Sequence, residues 1–99
     1  MKQGKSVFKA GKLLKVSAEF DEGEKVLERV SITGDFFLHP EEKLEGLQTA
    51  LQGAKLEREA LRNKIQSFID KEGVQVFGFD AEQLATAIME ACKRGMQPL

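Results

Sequence analysis

The sequence predicts one α+β domain over residues 1–99: a small antiparallel sheet of two to three strands, built on an N-terminal hairpin and covered by about three helices. Three observations lead there. Apolar and other residues alternate strictly from Lys12 to Phe20, leucines recur at helical spacing behind Pro40, and a helix-start signature stands at Asp80. With 99 residues the chain has room for a single core.

The first strand places Leu14, Val16, Ala18 and Phe20 on one face and Leu13, Lys15, Ser17 and Glu19 on the other. Asp21-Glu22-Gly23-Glu24 supplies turn formers, with Gly23 able to take positive φ, and a β-branched run through Val26, Val30, Ile32 and Thr33 completes a hairpin. The period slips at Leu27 and Glu28, as a bulge would make it. Upstream, Val7 to Ala10 forms a short leading strand or a tight turn onto the sheet edge. Behind Pro40, Glu41 and Glu42 suit a helix N-terminus, and Leu44, Leu47 and Leu51 form a stripe that Gly53 closes. A second helix is expected from about Lys55 to Lys71, with Leu61, Ile65, Phe68 and Ile69 inward and Gly73 at its end. Val74 to Phe79 is a brief apolar connector, either a strand or an irregular buried segment. Asp80 and Gln83 can cap each other reciprocally, flanked by Phe79 and Leu84 at the spacing of a hydrophobic staple. The third helix turns Leu84, Ile88, Ala91 and Cys92 inward and stops at Gly95.

Composition narrows the function. Hydrophobic residues make up 41% and charged residues 31%. No apolar run approaches the roughly 20 residues that span a bilayer, and the first residues lack the apolar core of about 7 to 15 that a secretion signal requires. A cytoplasmic setting is therefore expected. One cysteine, Cys92, permits no internal disulfide and one histidine, His39, gives it no evident catalytic base, so no catalytic residue and no metal site is expected. Lys2, Lys5, Lys9, Lys12 and Lys15 precede the first acid, Glu19. These lysines either coat the exposed face and edge of an N-terminal strand, which the pattern favours, or meet an anion held by a partner. With no Trp or Tyr to stack on bases, nucleic acid is not the expected partner.

Ile32 to Pro40 stands out from the framework. A strand runs into a helix through Gly34-Asp35 and then two adjacent phenylalanines, Phe36 and Phe37. Neighbours in extended chain point to opposite sides, so the two rings cannot easily share one core. The conservative reading packs one ring in the helix–sheet layer and the other beneath the loop; the sharper one leaves a ring for a partner.

From these residues the chain resembles the small C-terminal domain of lipoate–protein ligases. The similarity runs through Gly11-Lys12-Leu13, the Ile32-Thr33-Gly34-Asp35-Phe36-Phe37 turn, Pro40-Glu41-Glu42, the first-helix leucines, and Phe77-Gly78-Phe79 leading to Leu84, Ala87 and Ile88. The large domain of that family, with its catalytic lysine and its ATP and lipoate sites, has no counterpart here. The resemblance implies a non-catalytic accessory subunit of a two-chain ligase, paired as a heterodimer with a large catalytic subunit that holds ATP, Mg and lipoate. It would support formation of lipoyl-adenylate, after which the acyl group passes to a lysine of an acceptor domain. Gly34, Asp35, Phe36, Phe37 and His39 are expected to anchor on that subunit. One or more of Lys9, Lys12 and Lys15 would face its nucleotide, although the strand-coating role remains favoured for the lysines. The alternative is a stand-alone interaction or scaffold module with no tie to lipoate.

Overall fold

The structure, a computed structural model, describes residues 2–9 and 11–96. Among these residues five strands and three helices follow in the order β1 (Lys2–Lys9), β2 (Leu13–Asp21), β3 (Val26–Gly34), β4 (Phe37–His39), α1 (Lys43–Ala50), α2 (Arg58–Glu72), β5 (Gln75–Phe77) and α3 (Ala81–Met96). The fold is α+β. β1, β2 and β3 form an antiparallel meander in that order, and β4 and β5 form a separate antiparallel ribbon.

The alternation in β2 places Leu14, Val16, Ala18 and Phe20 against the helices. α3 lies across β1 and β2, α1 lies against β3, and α2 packs on α3 and α1. The opposite face of the meander carries the polar positions of all three strands. The expected bulge is present: Glu19 pairs with Arg29 but Phe20 pairs with Leu27, so Glu28 is the extra residue. It turns Leu27 inward with Val30 and Ile32, despite the odd spacing.

Several local expectations are corrected. The left-handed residue of the hairpin is Lys25, with φ 56°, and not Gly23. The Asp21 carboxylate accepts the Glu24 N–H at 3.0 Å and its carbonyl accepts the Lys25 N–H at 2.7 Å, which winds the turn one residue further. α1 ends at Ala50, and Gly53, with φ 81°, closes the following turn by donating its N–H to Leu27. α2 starts at Arg58 because Ala54 to Leu56 bond along the edge of β3: Leu27 donates to the Ala54 carbonyl and Leu56 to the Lys25 carbonyl. The loop thereby occupies part of a strand edge that would otherwise be open. Gly73 ends α2 in the left-handed conformation, as expected.

α3 starts as the sequence predicts. Asp80 N–H donates to Gln83 Oε1 at 3.0 Å and Gln83 N–H to Asp80 Oδ1 at 2.8 Å, with Phe79 and Leu84 both buried beside the cap. The helix does not stop at Gly95 but continues to Met96. Gly95 is there for proximity: a Cβ would meet the Phe20 ring at 2.9 Å and press on the Gln3 backbone. Gly4 plays the matching role on β1, where a Cβ would overlap the Ala91 carbonyl. Ser6 completes the seam, its buried hydroxyl donating to the Ala87 carbonyl at 2.8 Å. Among the described residues no helix is long and apolar enough to cross a membrane.

Candidate functional site

The site begins where β3 ends. Gly34 has φ 142°, and a Cβ there would collide with the Leu13 carbonyl. Only glycine fits, and the chain turns sharply enough for Asp35 N–H to donate to the same carbonyl at 2.9 Å. Beyond the turn the extended backbone sorts side chains by parity. Phe36 and Leu38 face inward, Leu38 fully, while Phe37 and His39 face solvent. The Phe36 ring meets Phe79 edge to face, centroids 5.0 Å apart at 79°.

Phe37 remains 55% exposed. It is not alone: β4–β5 pairing sets Phe77 directly opposite, and that ring is 61% exposed. The two rings stand 6.3 Å apart, tilted by 51°. Beside them a hollow opens between the end of β3 and the start of α1, floored by Ile32, Phe36, Leu38 and Leu44 and bordered by Thr33 and Glu41. Among the described residues the other large apolar side chain left exposed is Val7, so a pair of adjacent exposed rings stands out.

Gly78 locks the ribbon to the sheet. Its carbonyl accepts the N–H groups of Gly11 and Lys12, at 3.2 and 3.3 Å. With φ 111° it leaves room for the Lys12 stem and the Phe36 backbone, which a Cβ would meet at 3.0 and 3.1 Å. Lys12 therefore lies next to Phe36, although the two are far apart in sequence. Lys9 and Lys15 point outward from the open face of the meander, Lys15 opposite Thr33 at the border of the hollow. His39 is exposed and pairs through β4 with Gln75.

The structure thus gathers Gly34, Asp35, Phe36, Phe37 and Lys12 around one turn, with Lys9 and Lys15 on the adjoining open face of the meander. Sequence reasoning missed Phe77. Its signal was the parity of Val74, Gln75, Val76 and Phe77, in which the even positions go inward and the odd ones outward. Cys92 is buried in α3, and that burial pushes its thiol up to about 11, so it stays protonated near neutrality.

The model of the bacterial lipoate protein ligase C-terminus matches residues 3–88. No curated protein sequence matches. Among solved structures the chain is similar to the small partner subunit from a study of an archaeal lipoylation system, a bi-partite lipoate protein ligase and its E2 lipoyl domain from Thermoplasma acidophilum. The identity is 27% and the TM-score 0.75, over 89% of this chain and 97% of that one. With its fold and nearly its whole length matched, the chain belongs to the family of bacterial lipoate protein ligase C-terminal domains and has a lipoate-ligase-associated role.

Proposed function

We propose that this chain is a non-catalytic accessory subunit of a two-chain lipoate–protein ligase, and that it supports the activation of lipoate rather than performing it. The observation that carries the reading is the exposed Phe37–Phe77 pair, held on a ribbon that glycines fasten to the sheet, in a chain that matches a ligase C-terminus. Aromatic side chains kept rigid at a surface lose little entropy on docking, and burying each is worth about 1.5 to 3 kcal/mol.

The large subunit would hold ATP, Mg and lipoate. There a carboxylate oxygen of lipoate attacks the α-phosphorus of ATP, pyrophosphate leaves, and the mixed anhydride awaits an acceptor lysine. Its formation needs both substrates aligned and water kept out, and its use needs a protein acceptor admitted. A separate domain docked over the site meets the first need and, by moving aside, the second. Gly34, Asp35, Phe36, Phe37 and His39 form the partner-binding segment in this reading, now with Phe77. Of the three candidate lysines, Lys12 is the one beside that segment, and it is assigned the nucleotide side.

The test is lipoate-dependent pyrophosphate release by the large subunit with and without this chain. Release should rise at least tenfold on its addition, and the Phe37→Ser/Phe77→Ser variant should fail to produce the rise at equal concentration. Equal release by the large subunit alone, or ATP turnover by this chain alone, overturns the proposal.

A further inference from the structure

The open face of the meander carries a second group of side chains, other than the aromatic pair. On β1 the outward positions are Lys5, Val7 and Lys9; on β2 they include Lys15 and Ser17. The register sets Val7 opposite Lys15 and Lys5 opposite Ser17, leaving Lys5 and Lys9 both diagonal to Lys15. Diagonal neighbours lie roughly 7 Å apart, close enough for three ammonium groups to repel one another. Ser31 and Thr33 of β3 continue these rows with hydroxyls. The ion pairs among the described residues involve none of the three lysines. The acids that alternate onto this face of β2, Glu19 and Asp21, stand towards its far end, Glu19 between Gln3 and Arg29 and diagonal to Lys5.

Protection of the sheet edge explains lysines on β1. It does not explain Lys15, which sits on the central strand, nor Val7, 59% exposed in the middle of the cluster. A purely solvated face would intersperse acids and relieve the repulsion. Thr33 borders both these rows and the hollow beside Phe36, so the two surfaces are continuous.

We infer that Lys5, Lys9 and Lys15, around Val7, form the electrostatic half of the surface that receives the large ligase subunit. The partner then presents a carboxylate-rich strip next to an apolar socket for Phe37 and Phe77. This inference rests on the proposed partnership. The division of labour follows from range: lysines attract over a Debye length and raise the rate of encounter, while the rings act on contact and set the lifetime.

Association of the full chain with the large subunit is measured by stopped-flow at about 20 mM and about 500 mM salt, where charge steering is respectively strong and screened. Lys5→Glu/Lys9→Glu/Lys15→Glu should lower the on-rate at least tenfold at low salt, with the gap closing at high salt. Lys15→Glu alone, at an exposed position, should give a smaller change in the same direction and serves if the triple variant fails to fold. Phe37→Ser/Phe77→Ser should raise the off-rate at both salts. An on-rate unchanged by the lysine substitutions, or a gap indifferent to salt, overturns the inference and leaves the partnership standing. Lysine variants that lose binding only to a short DNA duplex overturn it in the same way. Absence of any association by the unmodified chain overturns the partnership itself, and the inference with it.

Discussion

Phe36 and Phe37 share a peptide bond and nothing else. One ring sits edge-on against Phe79 under the helix layer, and the other stands in solvent beside Phe77. Their replacements should therefore separate stability from binding. Phe36→Ser should cost about 2 to 4 kcal/mol in urea unfolding, as removal of a packed ring does, whereas Phe37→Ser should stay within about 0.5 kcal/mol. The parity that decides this was visible in the sequence, but which ring faced inward was not, because that depends on how Gly34 turns the chain. Cys92 gives a second contrast. Burial raises its thiol from the ordinary 9.0 to about 11, so above pH 9 the folded chain keeps a proton that the unfolded chain releases. That contribution to stability is intact below pH 9 and declines as pH rises towards 11. The urea midpoint should therefore fall more steeply across that window in the wild-type chain than in Cys92→Ala. A thiol-reactive disulfide reagent at pH 8 should label the native chain far more slowly than the unfolded one.

At the scale of elements, the long periodic segments were legible and the short ones were not. β2, the bulge in β3, the stripes of the three helices and the reciprocal cap at Asp80 all follow from local pattern, because each is decided by residues within a few positions of one another. Asp80→Ala should remove the bond that the Asp80 carboxylate accepts and cost about 1 kcal/mol, seen as a lowered urea midpoint. The start of α2 and the β4–β5 ribbon were less accessible, since both depend on partners distant in sequence. Residues after Gly53 serve the edge of β3 before they can begin a helix, and β5 is a strand only because β4 lies beside it. β1 shows the same dependence: its lysine-rich sequence looks marginal as a strand, yet all eight residues pair with β2. The ion pair of Lys43 with Glu72, 2.9 Å apart, ties the start of α1 to the end of α2; it raises the Lys43 pKa and lowers that of Glu72. Both groups are exposed, so the tie should weaken with salt.

At the scale of the molecule, one side of the meander is committed to the core and the other is left open, with the aromatic ribbon at the end where the Gly34 turn meets the β1–β2 loop. The family resemblance was readable from the Gly-Asp-Phe-Phe turn, but the candidate surface was only half readable: Phe77 and Val7 become notable once strand register puts them beside Phe37 and Lys15. The glycine seam between β1 and α3 has a further bearing on how such a chain comes into being. Gly4 faces Ala91 and Ser6 reaches Ala87, so the first strand is secured by residues 81 or more positions later in the chain. Contacts this remote in sequence slow folding, because a long loop must close before they form. During synthesis β1 emerges before its covering helix α3, and the positive charges along it then help to keep a nascent edge from zipping onto a neighbouring chain.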